Sequence, residues 1–231
     1  MKKLITMFCA ACSLMLVSVG TAQSDSSNFA GPYVGFQALG VGAEFKGQSN
    51  SSAGTSGAVE DQVPVGATTG TFGVEAGYVL PLGSMFALDI GGEYTHGETK
   101  LDHQTSGEDS NAGNVAMTVD SFYSWYVAPT VALSDTSSIY FKAGVSHADV
   151  GITGDVNHPG NLSGESYSIG TRTVLPSGIF IRTEAGYTEY NGISTHGAGG
   201  LTVGSDLIDA NTSFSAEPSV VRGTVSLGFR F

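Results

Sequence analysis

The sequence predicts an all-β protein: a transmembrane, eight-stranded antiparallel up-and-down β-barrel that follows a cleaved leader. Three observations carry this expectation. Stretches of two-residue alternation recur eight times, the connections between them alternate short and long, and the last stretch runs to the final residue and ends on an aromatic. Period-two alternation places one residue type on each face of a strand.

The first stretch, 32–45, sets Val34, Phe36 and Ala38 against Tyr33, Gly35 and Gln37. The second, 71–80, sets Phe72, Val74, Ala76, Tyr78 and Leu80 against Gly73, Glu75, Gly77 and Val79. The third, 85–94, has Phe86, Leu88, Ile90 and Tyr94 opposite Asp89, Gly91 and Glu93. In the fourth, 115–133, Trp125, Val127, Val131 and Leu133 share a face. The fifth, 139–150, alternates Phe141, Ala143 and Val145 with Tyr140, Lys142, Gly144 and Ser146. The sixth, 165–175, places Tyr167 and Ile169 against Gly170 and Arg172, and the seventh, 179–190, places Ile181, Ala185 and Tyr187 against Arg182, Glu184 and Gly186. The eighth carries Val221, Val225, Leu227, Phe229 and Phe231 on one face and Arg222, Thr224, Ser226, Gly228 and Arg230 on the other.

Connections after the second, fourth and sixth stretches are tight turns of Pro, Gly, Ser and Asp, at 81–84, 134–138 and 176–178. The other connections, 47–70, 95–114, 151–164 and 191–216, are long and polar. Short turns on one rim and long loops on the other is how outer-membrane barrels are built. A water-soluble barrel would alternate too, but with its polar face outward. Here that face is Gly, Ser and isolated charges rather than dense Lys and Glu, and Tyr, Trp and Phe bracket the apolar face as an interfacial girdle does.

The N-terminus supplies a matching address. Lys2 and Lys3 precede an apolar run over 4–19, and Gly20, Thr21 and Ala22 offer a small-residue cleavage site. That pattern is a secretory signal peptide over 1–22, followed by one domain over 23–231. Both cysteines, Cys9 and Cys12, lie within the leader, and Cys12 sits in the apolar run rather than at a lipobox. The mature chain is therefore expected to hold no disulfide, cysteine-ligated zinc or cysteine nucleophile. Without Lys2 and Lys3, seven basic residues face 21 acidic ones, a net charge of −14. Such a balance argues against nucleic-acid binding.

With the apolar face toward lipid, Glu75, Asp89, Glu93, Lys142, Arg172, Arg182, Glu184 and Arg222 point into the barrel. Four acids and four bases in a narrow lumen must pair to offset their desolvation. The plain expectation is a plug of salt bridges that holds strands in register; the sharper alternative is a gate over a narrow ion path.

The segments 33–36, 139–144, 179–184 and 227–231 resemble the opacity-protein/OmpA-like outer-membrane β-barrel family. The resemblance implies an outer-membrane location in a Gram-negative bacterium and a charged lumen, with Asp89, Lys142, Arg182 and Glu184 at charged positions of that family. It also implies that Val225, Leu227, Phe229 and Phe231 form the terminal signature read by the barrel-assembly machinery. Expected partners are outer-membrane lipid, lipopolysaccharide and an extracellular protein met through the loops. The chain is expected to act as a monomer without cofactor.

Candidate chemistry elsewhere is thin. Ser146 and His147 are adjacent, hence on opposite faces, a poor nucleophile and base. His96, His103, His147, His158 and His196 fall in or beside the long loops without metal-ligand spacing, so no metal site is expected. Asp206 and Asp209 lack the packed spacing of a calcium loop. Loop acids such as Glu60, Asp61, Asp102, Glu108, Asp109 and Asp155 suit weak polar contacts. The sequence therefore favours a structural or surface-interaction role without enzymatic activity. A low-conductance pore is the alternative, and an outer-membrane hydrolase a more distant one.

Overall fold

A computed structural model describes residues 25–50, 59–61, 65–102, 116–153, 160–196, 201–203, 206–208 and 213–231. Residues 1–24, which include the segment expected as a leader with Cys9 and Cys12, lie outside the described residues together with His103, His158, Glu108, Asp109, Asp155 and Asp209. A 3-10 turn, Ser26–Phe29, precedes β1 (Gly31–Asn50), β2 (Val59–Asp61), β3 (Val65–Pro81), β4 (Phe86–Asp102), β5 (Ala116–Ala132) and β6 (Ser137–Thr153). There follow β7 (Leu162–Val174), β8 (Ile179–Tyr190), β9 (Ile193–His196), β10 (Leu201–Val203), β11 (Asp206–Ile208) and β12 (Ser213–Arg230).

Eight long strands pair in sequence order, all antiparallel: β1, β3, β4, β5, β6, β7, β8 and β12. The sheet closes where β12 returns to β1, from Tyr33 opposite Arg230 to Asn50 opposite Ser213. Closure leaves the barrel without an edge and pairs the backbone polar groups that lipid cannot satisfy. Val34, Phe36, Phe72, Ile90, Trp125, Ile169, Ile181, Val225, Leu227, Phe229 and Phe231 are all exposed on the outer wall. Val131 shares Trp125's face but is buried at the turn rim between its ladder neighbours Phe86 and Ile139.

The strands rise further than the alternation predicts. Val65 to Gly70 pairs with Phe45 to Gly40, and Glu98 to Asp102 pairs with Asp120 to Ala116, inside segments expected to be loops. Val65 to Gly70 and Glu98 to Asp102 are rich in Gly, Thr and charged residues with only isolated apolar ones, too weak a hydrophobic period to mark a strand, yet ladder hydrogen bonds need none. His96 and His147, expected in or beside loops, accordingly sit inside β4 and β6, while His196 ends β9. Of the loop acids, Glu60 and Asp61 fall in β2, Asp102 ends β4 and Asp206 begins β11.

One irregularity re-aims the upper wall. Ser121 in β5 has φ +45°, and the pairing shifts there and again between Thr95 and Glu98 of β4. Bulges of this kind bend a strand and redirect the side chains beside it. At the opposite rim, the turn before β8 needs Gly178, whose φ of +84° disfavours a side chain.

Candidate functional site: the barrel lumen

All eight charged side chains singled out from the sequence turn inward, and none is more than 9 % exposed. The strands sort them into two groups. In the lower group, Arg182 spans Glu75 (Nη1 to Oε2, 2.5 Å) and Asp89 (Nη2 to Oδ2, 2.6 Å). Arg172 reaches the same Asp89 oxygen at 2.7 Å. Two acids meet two bases, so this group is neutral. In the upper group, Lys142 bonds Glu184 at 2.5 Å and Glu93 at 3.1 Å, and Arg222 pairs with both acids, Glu184 at 3.3 Å. It too is neutral. A buried charge is tolerable only when paired, and every charge in both groups has an opposite partner, although among the described contacts Glu75 Oε1 and the Nε atoms of Arg172, Arg182 and Arg222 make no hydrogen bond.

Tyrosines stitch the groups together. Tyr33 donates to Asp89 Oδ1 at 2.8 Å and shares a 2.6 Å hydrogen bond with Tyr126. Arg182 Nη1 donates to both phenols, and Tyr140 donates to Glu184 at 3.0 Å. Lys142 Nζ lies 4.3 Å from the Tyr126 ring centroid, and the Arg182 guanidinium 4.7 Å from that of Tyr140. Cations over aromatic faces gain from desolvation. These rings fit because glycine stands opposite each: Gly77 faces Tyr33 and Gly91 faces Tyr126 in direct register. A Cβ on Gly91 would come within 2.6 Å of the Tyr126 hydroxyl.

Sequence reasoning placed Tyr33 and Tyr140 on the polar face without giving them a role, and did not single out Tyr126. The available signal was parity: each is a large aromatic at an inward position, with glycine at the register partner. Gln37, which donates to Glu75 at 3.2 Å, was open to the same reading.

Apolar layers close the lumen above and below the charges. Toward the long-loop rim, Leu39, Val41, Ala43, Ala148, Val150, Leu162, Tyr190 and Val220 form one cluster, with Phe122 and Ile193 packed against it. Toward the turn rim, Tyr33, Val79, Ala87, Ala132, Val174 and Phe180 enclose Phe29, which is 1 % exposed. Phe29 is delivered by the N-terminal 3-10 turn. Asp25 caps that turn by accepting from Ser27 N at 2.9 Å, a bond that holds its carboxyl below the usual range. Ser26 N bonds Ser84 O at 2.6 Å, Ser26 Oγ bonds Gly83 O at 2.5 Å, and Arg230 donates to Ala30 O at 3.0 Å.

Ser146 and His147 part to opposite faces. Ser124 Oγ donates to Ser146 Oγ at 3.0 Å inside the lumen, whereas the His147 ring stacks on exposed Tyr123 outside, 5.0 Å between centroids. Among the described residues, no group of three His, Asp or Glu is disposed to hold a metal ion. Val225, Leu227 and Phe229 face outward from β12 and Phe231 from just beyond its end, with Phe229 and Phe231 in edge contact at 5.3 Å.

A closed, even-stranded barrel with an apolar outside, short turns on one rim and a charged interior defines a transmembrane protein of the outer-membrane class. The chain belongs to the outer membrane protein beta-barrel domain family, whose model matches residues 9–215, and its place is the outer membrane of a Gram-negative cell. Among solved structures it is similar to OprG from Pseudomonas aeruginosa, at 10 % identity, covering 91 % of this chain and 100 % of that one, with a TM-score of 0.51. It also matches Ail of Yersinia pestis in complex with a heparin analogue, at 14 % identity, 85 % and 99 % coverage and a TM-score of 0.40. The protease OmpT of Escherichia coli matches at 10 % identity, 87 % and 97 % coverage and a TM-score of 0.44. The search of curated proteins found no match. A shared fold leaves activity to particular side chains.

Proposed function

We propose that this protein is a sealed, non-enzymatic barrel that serves as a surface scaffold, holding the segments between its long strands outside the cell. The observation that carries this reading is the three-layer filling of the lumen. The apolar cluster around Leu39 and Val220, the paired charges and the Phe29 cork follow one another along the axis. A small barrel filled in this way leaves no continuous aqueous path. What remains for interaction is the outer rim, where function commonly sits on loops held by a rigid frame.

A second reading, a narrow ion conduit, has its own support. Ser166 Oγ, Ser168 Oγ, Thr224 Oγ1 and Gln37 Oε1 are buried in the lumen without a hydrogen-bond partner among the described residues. A file of such groups is what a hydrated path through the charge layers would use.

Conductance of the refolded protein in planar bilayers, beside Arg182→Ala and Glu184→Ala, separates the two. The scaffold reading expects silent bilayers for the parent protein. Steady discrete openings, altered by either substitution, would replace it with the conduit.

A further inference from the structure

The outer wall is not uniform. Across the middle of its apolar band lies a groove of about 430 Å³, whose floor is Ala76 and Gly92, directly opposed in register. Val74 and Phe36 wall one side, and Trp125 lies back over Gly92 on the other, so that a Cβ there would meet its ring at 2.9 Å. Small residues on two neighbouring strands, flanked by large ones, make a trough shaped for a chain rather than a flat face for bulk lipid.

Its position along the barrel follows from the strand count. Tyr94 is eight residues above the start of β4 at Phe86. At roughly 3.3 Å per residue and a tilt near 40°, that is about 20 Å, close to the outer edge of an apolar band about 25 Å tall. Tyr94 and Tyr123, paired across β4 and β5, thus mark the interface with the outer leaflet.

The top of the groove is polar. The bulge at Ser121 turns its hydroxyl toward Tyr94, and the two oxygens share one hydrogen bond of 3.1 Å. Two hydroxyls hold two donors and, among the described contacts, use one between them, which leaves one O–H and several lone pairs for a ligand. His96 stacks on Tyr94 and His147 on Tyr123, adding imidazoles at headgroup height.

We propose that this groove is a binding site for one acyl chain of an outer-leaflet glycolipid, with sugar hydroxyls or amide groups of its head meeting Tyr94 and Ser121. The occupant is argued from continuity: the groove opens onto the lipid-facing belt of a protein of the outer membrane, and its polar cap lies on the glycolipid side. The inference rests on the membrane placement and is independent of whether the lumen conducts.

The chain has one tryptophan, Trp125, and it forms a wall of the site. Refolded protein in vesicles of phosphatidylcholine brominated on its acyl chains should show quenched emission. Adding unbrominated lipid A to 10 mol % is expected to restore more than half of the lost fluorescence, against about a tenth for the same amount of unbrominated phosphatidylcholine. Ala76→Phe, which fills the floor, should reduce the recovery to the proportional value. Ser121→Ala, which removes one hydroxyl and leaves the floor intact, should roughly halve it. Proportional recovery by lipid A in the parent protein would overturn the proposal, as would recovery unchanged in both variants. Dimers in the parent protein that Ala76→Phe converts to monomers would assign the groove to a second copy instead, and also overturn it.

Discussion

Replacing Arg182 by alanine removes the one side chain that bridges Glu75 and Asp89, at 2.5 and 2.6 Å. The damage falls unevenly. Asp89 keeps Arg172 at 2.7 Å and the Tyr33 hydroxyl at 2.8 Å, whereas the described contacts leave Glu75 only the Gln37 amide at 3.2 Å. Glu75 is 2 % exposed and cannot recover its hydration without opening the wall. Stranding one member of a buried pair costs about 3–5 kcal/mol, much of it from the charge left behind. The expected result is therefore a loss of that size in Arg182→Ala. Arg182→Met combined with Glu75→Gln should recover roughly half of the loss or more, because neither charge is then stranded. Equilibrium unfolding in urea, in lipid vesicles and followed by Trp125 emission, measures both. A loss below about 1 kcal/mol in the single variant, or a double variant that loses the sum of its parts, would refute the reasoning.

Three further outcomes follow from the same structure. Phe29→Ala should lower stability by about 3 kcal/mol, as for a large-to-small core change, while leaving bilayers silent because the charge layers remain; unfolding and conductance on one preparation check both halves. Gly91→Ala forces the Tyr126 ring aside and should cost about 1–3 kcal/mol, with Tyr126→Phe in the same chain relieving only part of it because the ring remains; thermal shift of the folded band on gels reads the difference. Deleting Phe231 should cut the yield of folded barrel in cells several-fold while lowering refolded stability by about 1 kcal/mol or less, since its exposed side chain meets the Phe229 ring and its amide gives up one hydrogen bond, to Pro32 O.

The inward and outward faces were legible in the sequence because a strand's period of two survives any context. Glu75 and Arg182 could be assigned to one lumen before any register was known. Their partners could not, since Arg182 meets Glu75 and Asp89 from strands distant in the chain. The strand tops were hidden for a different reason: Thr95 to Asp102 carries polar residues on both faces, and its pairing is written in backbone hydrogen bonds rather than hydropathy. Tyr126 was overlooked between Trp125 and Val127, where three apolar-looking neighbours mask the alternation. The Phe29 cork left a fainter trace, a four-residue turn whose aromatic matters only once a barrel mouth stands beneath it.

Chemical access to the lumen tests the sealed-barrel account most directly. In a protein with Cys9 and Cys12 replaced by serine, Ser168→Cys and Ser226→Cys would place single thiols on buried inward positions, and Ser134→Cys would place one on an exposed turn. With a water-soluble maleimide, the account predicts rapid labelling at 134 and labelling at 168 and 226 only after unfolding. Labelling of the lumenal thiols in the folded barrel, at rates near that of the turn, would contradict it.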